Sequence, residues 1–136
     1  MIYRRPVRFE EVDAAGIVFF GHYARYVHEA MEAFFDGIDG GYVGLIMGRR
    51  IGFPAVKLET TFLSPLRYGD VAVITTQVAR LGTKSLTFHY AVDVEGADRR
   101  AAEVDHTVVL TDLTAMRSTT MPPDVRALLE LHLAGG

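Results

Sequence analysis

From His22 to Phe35 the apolar residues Tyr23, Tyr26, Val27, Ala30, Met31, Phe34 and Phe35 recur at three- and four-residue spacing, while Arg25, His28, Glu29, Glu32 and Asp36 fall on the opposite side. That period belongs to an amphipathic α-helix. Gly37 is placed to end it, because glycine accepts the left-handed conformation found at helix C-termini. No other segment reads as a helix of this length. So wide an apolar face must be covered, and without a second large helix the cover has to be a sheet.

The remaining chain supplies one. Ile2 to Phe9 reads as a short strand. After a weaker helical stretch from Gly40-Gly41 to Met47 and a turn at Gly52-Phe53-Pro54, Val56, Leu58, Thr60 and Phe62 alternate with polar residues. Pro65 and Gly69-Asp70 mark a turn, and Val71 to Leu81 is β-branched and strand-like. Leu86, Phe88, Tyr90, Val92 and Val94, then Ala102, Val104, His106, Val108 and Leu110, alternate with a period of two. Four successive strands with short turns predict an antiparallel meander beneath the helix, hence an α+β domain. Pro122-Pro123 opens a short terminal helix through Leu131.

At 136 residues and 49% hydrophobic content the chain is expected to be one compact domain with a real core. A formal net charge of -3 offers no global field for nucleic acid or an anionic membrane, and no apolar run approaches membrane-spanning length. The absence of cysteine excludes disulfides, thiolate metal sites and a cysteine nucleophile, and with no visible N-terminal signal it fits a cytoplasmic protein. His22, His28, His89, His106 and His132 lack metal-ligand spacing, so no metal is expected. Neither a Gly-x-Ser-x-Gly nucleophile elbow nor a phosphate-binding glycine loop is present. Arg49-Arg50 and Arg99-Arg100 read as plain surface.

Between the first strand and the helix lies Val12-Asp13-Ala14-Ala15-Gly16-Ile17-Val18-Phe19-Phe20-Gly21-His22-Tyr23. This run resembles the signature of the 4-hydroxybenzoyl-CoA thioesterase family. There an Asp, a small residue or proline, a small residue and Gly precede an apolar stretch, and a Tyr opens the central helix. Gly52-Phe53-Pro54 matches the turn before the second strand, Tyr68-Gly69-Asp70 the following hairpin and Lys84-Ser85 the start of the fourth strand. The resemblance therefore covers nearly the whole chain. It implies a hotdog fold, a long helix wrapped by a curved antiparallel sheet, assembled as a homodimer or homotetramer with active sites between subunits. It also implies an acyl-CoA substrate, with coenzyme A as part of that substrate and no separate cofactor.

Thioester hydrolysis needs a nucleophile or a base to activate water, and a stabiliser for the developing oxyanion. By resemblance Asp13 supplies the first, either attacking the carbonyl or activating water, although Asp is also a common turn residue. The backbone N–H of Phe20, at the positive end of the helix, matches the oxyanion donor. Gly16 lets the loop turn sharply. Phe20 stands where relatives linked to the Tol–Pal system carry a histidine, and His22 is the nearest substitute. Tyr23, His28 and the Gly52-Phe53-Pro54 turn match substrate-side positions, His28 replacing an acidic residue of the hydroxybenzoyl branch. Arg80, Lys84, Ser85 and Arg117 match the region that holds the phosphates of coenzyme A. Two other readings stay open: an acyl-thioester dehydratase or hydratase of the same fold, and a non-catalytic acyl-CoA-binding module.

Overall fold

The computed structural model describes residues 1–135. A short first strand, β1 (Ile2–Pro6), leads through the turn Phe9–Glu11 to the long helix α1 (His22–Phe34), which tightens into a 3-10 turn ending at Gly37. The weaker helical stretch is a single turn, α2 (Gly41–Val43), widening into a π-turn over Gly44–Gly48. Strands β2 (Ile51–Gly52), β3 (Ala55–Phe62), β4 (Val71–Leu81), β5 (Ser85–Val94), β6 (Arg100–Val109), β7 (Thr111–Asp112) and β8 (Arg117–Ser118) follow, then α3 (Pro123–Leu131). Among the described residues no helix is long and apolar enough to cross a membrane.

Tyr23, Tyr26, Val27, Ala30, Met31 and Phe34 of α1 are buried, in one cluster with the inward residues of β4, β5 and β6. Phe34 meets Phe88 of β5 edge to face at 5.6 Å. Each such side chain contributes about 1.5–3 kcal/mol by leaving water, so this face ties helix to sheet. A helix laid across an antiparallel sheet is the hotdog arrangement that the resemblance implies.

The strand order corrects the expected meander. The main sheet runs β1-β4-β5-β6-β3, so β4, β5 and β6 do form consecutive hairpins but β3 does not join them at β4. β1 occupies that edge, pairing from Ile2 opposite Thr75 to Pro6 opposite Val71. β3 instead pairs with β6 at the far edge, from Ala55 opposite Val108 to Phe62 opposite Ala102. The segment read as a hairpin around Tyr68-Gly69-Asp70 is thus a crossing connection between distant strands. Its backbone is satisfied locally, as buried backbone must be: the Val18 N–H donates to Leu66 C=O at 2.8 Å. Arg99, expected to be plain surface, braces the same connection by donating to Ser64 Oγ at 2.8 Å and Pro65 C=O at 2.6 Å. Being at the edge also strips β3 of cover, leaving Val56, Leu58 and Phe62 at 64%, 44% and 52% exposure.

Candidate active site

The loop before α1 folds around Asp13. Its N–H donates to Ile17 C=O at 2.9 Å, its C=O accepts the Gly16 N–H at 2.9 Å, and Oδ1 accepts the Ala15 N–H at 2.8 Å. Gly16 closes this turn at φ +79, and an added Cβ would meet no atom within 4 Å. Only the left-handed backbone, costly for other residues, asks for glycine there. Among the described residues the second carboxylate oxygen of Asp13, Oδ2, has no protein partner.

Asp13 opens onto a cavity of about 520 Å³ walled by Ile17, Val18, Phe19, Phe20, Tyr23, Phe62 at the end of β3 and residues 63–65 of the crossing connection. It is the one charged side chain in that lining. Phe20 precedes the helix cap Gly21, and the first turn is already closed by His22 N–H to Phe19 C=O at 3.0 Å and Tyr23 N–H to Phe20 C=O at 3.2 Å. Among the described residues no backbone acceptor takes the Phe20 N–H, which therefore remains a free donor at the positive end of α1. The Tyr23 ring packs edge-on to Phe62 at 5.1 Å. Burial pushes its hydroxyl above the ordinary tyrosine range, so it stays protonated.

Other expected site residues lie elsewhere on the chain. His22 flanks the loop but not the cavity, its Nδ1 3.3 Å from Arg25 Nη2 and its ring edge-on to Phe19. His28 sits on the exposed side of α1, 3.1 Å from Glu32. Phe53 is buried 4.9 Å from the Phe35 ring, at the opposite end of α1 from Asp13, and a Cβ on Gly52 would come within 2.7 Å of Leu113. Arg80, Lys84, Ser85 and Arg117 gather at one end of the sheet. Ser85 pairs with Val109, and Leu110 bonds both Lys84 and Thr119 through the backbone. That end is remote from Asp13. Along β6 it lies seven residues beyond Ala102, the partner of Phe62, or about 23 Å at strand rise.

Comparison with known proteins shows the family. The description "thioesterase-like superfamily" matches residues 7–129. This chain belongs to the thioesterase-like superfamily. A 1,4-dihydroxy-2-naphthoyl-CoA hydrolase from Nostoc punctiforme is 27% identical over 96% of the chain and 86% of that protein. Another from Thermosynechococcus vestitus is 32% identical over 76% of the chain and 72% of that protein. The crystal structure of a thioesterase-superfamily protein from Jannaschia sp. CCS1 superposes with a TM-score of 0.89, at 30% identity, covering 99% of this chain and 94% of that one.

One heavily bonded side chain of this thioesterase-like chain has no counterpart among the sequence expectations. Glu11 is fully buried, and its carboxylate accepts Arg5 Nη1 at 2.9 Å, Arg5 Nη2 at 2.6 Å, the Arg8 N–H at 2.8 Å, Tyr26 OH at 2.6 Å and Arg25 Nη2 at 2.5 Å. Arg5 also donates to Glu29 at 2.8 Å and lies 4.7 Å over the Tyr26 ring. Burial alone would raise the Glu11 carboxyl, but the bonds from Arg5, Tyr26 and the Arg8 amide outweigh it and hold the pKa at about 2. The only signals in the sequence were an acid two residues before Asp13 and an arginine-rich first strand.

Proposed function

We propose that this protein is an acyl-CoA thioesterase that hydrolyses a small acyl- or aroyl-CoA to free acid and coenzyme A, with each active site shared between two copies. One observation carries the chemistry: Asp13 is the single charge in an apolar cavity that also takes in Phe20, at the positive end of α1. A thioester carbonyl directed at the Phe20 amide would have its developing oxyanion met by an unpaired N–H and the helix dipole. Asp13 either attacks the carbonyl carbon, giving an anhydride that water then cleaves, or takes a proton from the attacking water. In both routes the C–S bond breaks and coenzyme A leaves as the thiolate, which takes its proton from solvent in the first route and from protonated Asp13 in the second. The names of the Nostoc and Thermosynechococcus relatives support a coenzyme A thioester as substrate.

The exposed edge strand β3 supports the two-copy reading. An edge strand with exposed apolar residues invites pairing, and a two-fold axis pairs it antiparallel with itself. That reversal brings the Ala55 end of one copy beside the Phe62 end of the other. The second copy's Gly52-Phe53-Pro54 turn and basic cluster then approach this copy's Asp13, closing a gap that one chain leaves open. His22, held by Arg25, has only a supporting place at the loop.

The test is thiol release from a panel of acyl-CoAs by wild type and Asp13→Asn. The variant should fold normally and lose roughly 10²–10⁴ in kcat. Near-wild-type turnover in folded Asp13→Asn would remove the mechanism, and absence of thiol release from every acyl-CoA would favour a binding module or a dehydratase.

A further inference from the structure

Glu11 is bonded in three directions at once. Through its side chain it holds Arg5 of β1 and, from the first two turns of α1, Arg25 and Tyr26. Through its backbone it holds the apolar leg of the loop, because the Phe19 N–H donates to Glu11 C=O at 3.0 Å. Asp13 follows Glu11 by two residues and the Phe20 amide follows Phe19 by one. Both groups proposed to act on the thioester are therefore hung from one buried residue, which lines no part of the cavity itself. The charges around it balance, with Arg5 and Arg25 facing Glu11 and Glu29. Buried charges add little net stability over apolar packing, so so elaborate a cluster beside the loop asks for another reason.

We infer that Glu11 is a positioning residue that fixes the distance between the Asp13 carboxylate and the Phe20 N–H. This rests on the thioesterase reading above and extends it. Placing a nucleophile or base and an oxyanion donor about one reacting carbon is sensitive to small displacements, with about 1 Å costing on the order of a hundredfold. A clamp shared by the strand, the helix and both legs of the loop removes that freedom before substrate arrives. Its loss should act on the transition state more than on binding, since the basic cluster proposed to grip coenzyme A lies far from Glu11.

Two variants test this, Glu11→Gln and Tyr26→Phe. Glu11→Gln turns an amide NH2 toward the arginines, while Tyr26→Phe deletes one bond to Oε1 and leaves the ring and the core in place. Each is assayed well below its own Tm, where circular dichroism shows full folding, so a loss of stability alone moves neither kinetic constant. The expected result is a fall in kcat of about tenfold to a hundredfold for Glu11→Gln and roughly threefold to tenfold for Tyr26→Phe, with KM within twofold of wild type. Unchanged kcat in folded Glu11→Gln, or a change confined to KM, overturns the assignment. Should Glu11→Gln not fold, Tyr26→Phe decides, and wild-type kcat there overturns it. Asp13→Asn run alongside separates the two levels: if it too is fully active the thioesterase mechanism has failed, whereas if it is inactive and Glu11→Gln is not, only the positioning role has.

Discussion

Asp13 lines the cavity with its carboxylate bonded through Oδ1 to the Ala15 amide, while Oδ2 has no protein partner among the described residues. The sequence allowed either a turn residue or a reactive one, and the geometry accommodates both in the same side chain. Lys84 poses a cleaner contrast. If it meets a coenzyme A phosphate it binds a part of the substrate that does not react, so Lys84→Ala should raise KM several-fold to about tenfold and leave kcat nearly unchanged. The effect should shrink as salt rises and vanish with the same acyl group on a short phosphate-free thiol. Equal losses on both substrates would move Lys84 out of the binding site. The turn at Gly16 and the place of Phe20 before the helix were legible because both are local, one set by a left-handed backbone and the other by the start of a periodic segment. Glu11 was not. A buried carboxylate is defined by partners on β1 and α1 that only the tertiary fold assembles, and in the sequence it reads as one more loop acid.

The Glu11 cluster also ties β1, the loop and α1 together against acid. Its carboxyl is held at about 2 against an ordinary value of 4.5. A depressed folded-state pKa gives stability that is present above about pH 4.5 and lost as pH falls toward 2, of order 3 kcal/mol for this group. Thermal melts across that window should show a steep fall in Tm for wild type. Tyr26→Phe should show a shallower fall, because one bond fewer leaves the folded pKa less depressed. Parallel slopes would mean that other groups set the acid response. The elements themselves were well marked by their periods, α1 and β5 above all. Their arrangement was less so: alternation shows that β3 is a strand but not which neighbour it takes. β1 claims the edge of β4 through pairing between residues 2–6 and 71–75, and nothing in the local pattern of β3 records that.

For the whole molecule, a site shared between copies has a signature that no single chain can imitate. If the site is shared as proposed, Asp13→Asn subunits and subunits lacking Arg80, Lys84 and Arg117 should each be impaired, but a mixed dimer should carry one site with both defects and one with neither. After subunit exchange in equal amounts, about one quarter of all sites should be wild type, and activity at substrate well below KM should recover accordingly. Activity that stays at the average of the two parents would place Asp13 and the basic cluster in the same subunit's site. The crossing that puts β3 beside β6 has a consequence in time as well as space. β4, β5 and β6 can zip together through short turns, whereas β3 must wait for a partner made only after residues 63–99. Closing that longer loop late costs more chain entropy. Substitutions in β3, such as Thr60→Ala, should therefore speed unfolding and leave the refolding rate nearly untouched, while substitutions at Val92 in β5 slow refolding. Stopped-flow measurement of both rates would show whether the strand that completes the enzyme is also the last to arrive.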